Sequence, residues 1–97
     1  MEANRSSRAE VRNPLMALPS ARLVDGLGDD AREALRSILL DIRQDARARA
    51  EACWRAHKGP MALYWKVVSV YAGHIARLLR QAEVRARQAT REKRGTS

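Results

Sequence analysis

Apolar residues recur along this chain at intervals of three and four in two long blocks, and nowhere do they alternate with polar ones as a half-buried strand requires. The first block holds Leu35, Ile38, Leu39, Ile42, Ala46, Ala50, Cys53, Trp54 and His57. The second holds Met61, Tyr64, Trp65, Val68, Tyr71, Ala72, Ile75, Leu78, Leu79 and Ala82. Each block lines one face of a helix. Between them, Lys58-Gly59-Pro60 puts glycine at the end of one helix and proline at the start of the next, a break too short for anything but an antiparallel return. The pattern predicts an all-α chain built on a long antiparallel helical hairpin, with helices over about 29–58 and 60–91. Asp30 and Glu33 have the spacing of a capping box and place acid at the positive end of the first helix dipole.

Upstream of the hairpin, Asn13-Pro14 reads as a cap followed by a proline at the first helical position, opening a short turn that Pro19 ends. Pro19-Ser20 opens another, which Gly26 closes. Leu15, Leu18, Leu23, Val24 and Leu27 give this stretch enough apolar surface to pack across the hairpin as a lid. Residues 1–12 are polar and lack apolar spacing, so they are expected to form a disordered arm. Residues 13–91 are expected to form one helical domain, and 92–97 a disordered basic tail.

The second helix carries more apolar surface than one partner can cover. Leu63, Val67 and Val70 make a second row beside the hairpin face, and a helix apolar nearly all round must be buried. Either the lid or a second copy of the chain could cover that row. The expectation is a homodimer forming a four-helix bundle, with Ser69, Ala72, Gly73 and Ala76 small enough to admit the partner's helix. A chain of 97 residues makes one domain and buries a limited share of its own surface, which favours association.

Charge adds a candidate partner. Of the net charge of +8, residues 1–28 and 29–58 carry +1 each and residues 59–97 carry +6. The excess favours an anionic partner such as nucleic acid, of unspecified type, or an acidic protein surface. Sixteen arginines against three lysines is also what a GC-rich coding sequence writes without functional pressure. One cysteine forms no internal disulfide, and no apolar stretch follows the charges at Glu2, Arg5 and Arg8, so the expected compartment is a reducing cytoplasm. The longest uncharged run, Val67 to Ala76, is about half of what a membrane-spanning helix needs, so no membrane partner is expected.

Candidate chemistry concentrates near the break. Cys53 and His57 are one turn apart, but an antiparallel hairpin puts His74 opposite residues 43–45, too far to complete a metal site or a catalytic pair. A non-enzymatic protein without metal or cofactor is expected. Trp54, Tyr64, Trp65 and Tyr71, interleaved with Arg55, Lys58 and Lys66, could stack on unpaired bases. The ordinary alternative, preferred for Tyr64, Val68 and Tyr71, is core packing. Trp54 and Trp65, adjacent across the turn, are candidates for an exposed or interface role.

The clearest electrostatic feature is the run Arg77, Arg80, Arg85, Arg87, Arg91, Lys93 and Arg94, set against only Glu83 and Glu92. The sequence therefore predicts a small basic helical protein that binds nucleic acid or a nucleoprotein complex through these residues, with help from Arg55, Lys58 and Lys66. A solvated helix end, where cations are favoured by the dipole, is the plainer account of the same run. A second functional reading is an adaptor or inhibitor that docks on a protein through Trp54, Trp65, Leu63, Val67 and Val70.

Overall fold

A computed structural model describes residues 12–96, so the expected N-terminal arm falls outside the described residues except for Arg12. Among the described residues there is no strand. Two 3-10 segments, Pro14–Ala17 and Pro19–Gly26, precede two long helices, α1 (Asp29–Arg55) and α2 (Gly59–Thr96), which pack against each other as a hairpin.

Each boundary has a local cause. Asn13 caps the first 3-10 segment by accepting a hydrogen bond from the Leu15 amide at 3.1 Å. Its own amide nitrogen donates to the His74 carbonyl at 2.8 Å, so one buried side chain both starts the lid and pins it to α2. The capping box is not formed: the N-cap of α1 is Gly28 and no side chain caps it. Asp29 instead pairs at 2.6 Å with Arg32, one turn on. Arg32 is only 4% exposed, and its other guanidinium nitrogen donates to the carbonyls of Leu27 at 2.5 Å, Val24 at 3.4 Å and Asp25 at 3.5 Å. This planar fork ties the end of the lid to the start of α1.

The turn between the helices also differs from expectation. α1 stops at Arg55, and His57, not Gly59, takes the left-handed conformation, at φ 61°. The His57 amide donates to Trp54 O at 3.1 Å and the Lys58 amide to Cys53 O at 2.8 Å, the paired bonds of a Schellman motif. Gly59 belongs to the first turn of α2. At its other end α2 runs to Thr96, past the expected limit at 91, because Ala86, Gln88 and Ala89 and the charged residues among them are good helix formers and no proline interrupts them.

The seam is made of small residues. From α1 it takes Ala46, 1% exposed, with half-buried Leu39, Arg43, Ala50 and Cys53; from α2 it takes Ala62, Ser69, Ala72, Gly73 and Ala76. A Cβ added to Gly73 would lie 3.2 Å from Arg43 Cδ, so the backbone of α2 comes right up to α1 there. Two expectations are corrected by this. Leu35, Ile38, Ile42 and Trp54 are exposed and not part of the seam, and so are Met61, Tyr64 and Tyr71. Ser69, Ala72, Gly73 and Ala76 receive α1 of the same chain, not the helix of a second copy.

The lid covers only part of α2. Leu78 and Ala82 are buried in the stretch of α2 that the lid crosses, while Leu63, Val67 and Val70 nearer the tip stay exposed. Arg85 pairs with Asp25 at 2.6 Å and holds the far end of the lid in place.

Candidate functional site

The two edges of the hairpin seam differ in chemistry. Along one edge, α1 contributes Arg36, Leu40, Arg43, Arg47, Ala50 and Trp54, residues three or four apart and therefore on one side of the helix. α2 contributes Gly59, Ala62, Leu63, Lys66, Ser69, Gly73, Ala76, Arg77 and Arg80. These residues line two clefts that follow one another along the same edge. The cleft farther from the tip gathers Arg36, Arg43, Arg77 and Arg80 over Leu40, Gly73 and Ala76. The cleft at the tip is apolar, with Trp54, Leu63, Ala50 and Ala62, and is flanked by Arg47 and Lys66.

No ion pair among the described residues engages Arg36, Arg43, Arg47, Arg77, Arg80 or Lys66. The single acid lining either cleft is Glu51, and it is paired with Arg55 at 3.4 Å. Four guanidinium groups close together repel one another, and an anion placed among them relieves that repulsion.

The opposite edge carries Leu35, Ile38 and Ile42 from α1, all exposed. Nearer the tip on this edge, the Arg49 guanidinium lies 5.0 Å from the Trp65 ring centroid, and Tyr64 meets Trp65 edge to face at 5.1 Å. A hydrogen bond from Arg49 to Asp45 at 2.8 Å raises the arginine's pKa and fixes its position over the ring.

These positions sort the predicted residues. Arg77 and Arg80 join the cationic cleft. Arg85 is committed to the lid through Asp25, Arg87 pairs with Glu83 at 3.3 Å, and Arg55 with Glu51. Arg91, Lys93 and Arg94 are exposed near the end of α2, and Arg87, Arg91 and Arg94 line a recess beside Asp29. Lys66 lies on the cleft edge and Lys58 is exposed in the turn. Trp54 and Trp65 do not form one patch: Trp54 is on the arginine edge, and Trp65 is on the other, against Tyr64 and Arg49. Tyr64 and Tyr71 are about half exposed, and the expectation of core packing for them is corrected. Half-buried Val68 fits that expectation more closely.

Arg36, Arg43 and Arg47 are the residues the sequence reading missed. Their spacing with Leu40 was visible, but counting charge by segment hid it, because Asp41 and Asp45 on other faces of α1 cancel them. Among the described residues no group of three or more His, Cys, Asp or Glu side chains could hold a metal ion. Cys53 is a half-buried free thiol, and His57 is the exposed turn residue. No described helix is long and apolar enough to cross a membrane. The chain matches no protein-family model, no curated protein and no solved structure.

Proposed function

We propose that this is a non-enzymatic nucleic-acid-binding protein that holds phosphates with the arginine edge of its hairpin, assisted by the exposed cations near the end of α2. The observation that carries this reading is the convergence of Arg36 and Arg43 from α1 with Arg77 and Arg80 from α2, without an acid among them. Binding a phosphate chain there releases condensed counterions and offsets the mutual repulsion of the arginines.

The test is fluorescence anisotropy of labelled DNA and RNA against salt, for the wild type and an Arg77→Ala/Arg80→Ala variant. Both side chains are exposed at the cleft and make no ion pair among the described residues, so folding should be unaffected. Affinity should fall steeply with salt, and the double substitution should flatten that dependence by about two phosphate contacts. Equal affinity and equal salt dependence in the two proteins would overturn the reading.

A second reading rests on a separate observation. Leu35, Ile38 and Ile42 on one edge, and Leu63, Val67 and Val70 on the side of α2 adjoining the tip cleft, leave large side chains in water, which marks association surfaces in small proteins. A second copy could cover them, or another protein for which this chain is an adaptor. Light scattering separates the two: a dimer mass supports self-association, and a monomer mass supports a foreign partner.

A further inference from the structure

The two clefts of the arginine edge are consecutive and chemically unlike, and that order carries information about the shape of the nucleic acid. From Arg36 to Trp54 the edge runs 18 residues of α1, about 27 Å at 1.5 Å per residue. Arginines crowd one end, Arg47 and Lys66 stand midway, and the far end is an apolar pocket beside Trp54, a residue 71% exposed. Trp54 stacks on no other ring among the described residues, whereas Trp65 on the opposite edge is engaged by Tyr64 and Arg49.

A duplex offers this edge only half of what it is built for. Its phosphates would satisfy the arginines, but its bases are stacked inside and have no free face for Trp54. A single strand presents phosphates and unstacked bases together, which is the pairing of charge with an aromatic platform that sequence-tolerant single-strand binders use. Apolar Leu63, Ala50 and Ala62 around the indole give a base an edge to rest on, and Glu51, the one acid lining the cleft, is drawn toward Arg55 at 3.4 Å. Resting on the nucleic-acid reading above, we propose that the arginine edge is a single-strand site, with phosphates along Arg36, Arg43, Arg77 and Arg80 and one base stacked on Trp54.

The test compares a labelled single-stranded oligonucleotide with the duplex of the same sequence, against the wild type, Trp54→Ala and Arg77→Ala/Arg80→Ala, with circular dichroism to check folding. The expected result is tighter binding of the single strand, about a tenfold loss on that substrate for Trp54→Ala and little change on the duplex. In a Trp65→Phe background, the remaining indole emission should be quenched by the single strand only. If both substrates bind the wild type equally and Trp54→Ala changes neither, while the arginine variant weakens both, the single-strand assignment is overturned and the nucleic-acid reading stands. If the wild type binds neither at low salt, both are overturned.

Discussion

Both halves of α2 carry large apolar side chains outside the seam, and these have opposite fates. Toward the tip, Leu63, Val67 and Val70 face water. Past His74, Leu78, which lies on the same side of the helix as Val67, is 7% exposed, against 45% for Val67. Composition does not explain the difference. The lid does: Asn13 bonds to the His74 carbonyl, Asp25 to Arg85, and the 3-10 segments between them fill one stretch of the helix and stop. Apolar side chains stay exposed where the described residues supply no third layer, so the open half is where an outside partner gains most by binding.

The most direct way to break this comparison is to shorten a leucine in each half. Leu78→Ala should cost about 2–5 kcal/mol of stability, and Leu63→Ala should stay within about 0.5 kcal/mol. Similar losses in thermal melts of the two variants would mean that both halves are covered. Next in size, the open half depends on its small-residue seam, so Ala46→Leu should force α1 and α2 apart and cost about 1–3 kcal/mol in denaturant unfolding. An unchanged midpoint would mean that the seam is looser than the burial of Ala46 indicates.

A gain is expected at the tip. His57 holds a left-handed backbone that costs an L-residue about 1–2 kcal/mol, partly offset if glycine replaces it by the greater freedom glycine has when unfolded. His57→Gly should therefore stabilise the hairpin by roughly 0.5–1 kcal/mol. A loss of stability would mean that the imidazole contributes more than the strain removes.

The smallest effect belongs to the lid. The hydrogen bond from Arg85 holds the Asp25 carboxyl below its ordinary pKa, with the charges of Arg85 and Arg22 acting the same way. A carboxylate whose pKa is lowered on folding stabilises the fold above its unfolded pKa of about 3.9, and the effect is lost as pH falls through the lower folded value. The pair is partly exposed, so Asp25→Asn should cost less than about 1 kcal/mol at neutral pH. It should also remove that part of the acid sensitivity below about pH 4. A variant that melts with the wild-type pH profile would show the pair to be idle.

Much of the fold was legible because its signals are local. Asn13-Pro14, Pro19, Gly26 and Asp29 punctuate the chain where the structure breaks it, and the two long apolar blocks gave the hairpin. Which face forms the seam was not legible. Leu35, Ile38 and Ile42 outrank Ala46 and Ala50 in hydrophobicity and share their spacing, but close approach of two helices favours alanine, glycine and serine, and the seam rotates toward them. The arginine edge was hidden for a related reason. A count of charge per segment cannot see that Arg36, Arg43 and Arg47 share a face while Asp41 and Asp45 do not. Arg85 counted as an available cation, yet the fold uses it, like Arg32, as a clamp.

The distances in sequence that these clamps span set an order of assembly. The turn bonds at Cys53 and Trp54 close over a handful of residues, whereas Asn13 and His74 are 61 apart and Asp25 and Arg85 are 60 apart. Ring closure over a long segment loses more chain entropy than closure over a short one, so the hairpin is expected to zip from its tip and the lid to dock afterwards. The same logic in reverse makes the lid the first part to open, and amides under it should exchange with solvent hydrogen sooner than those of the seam.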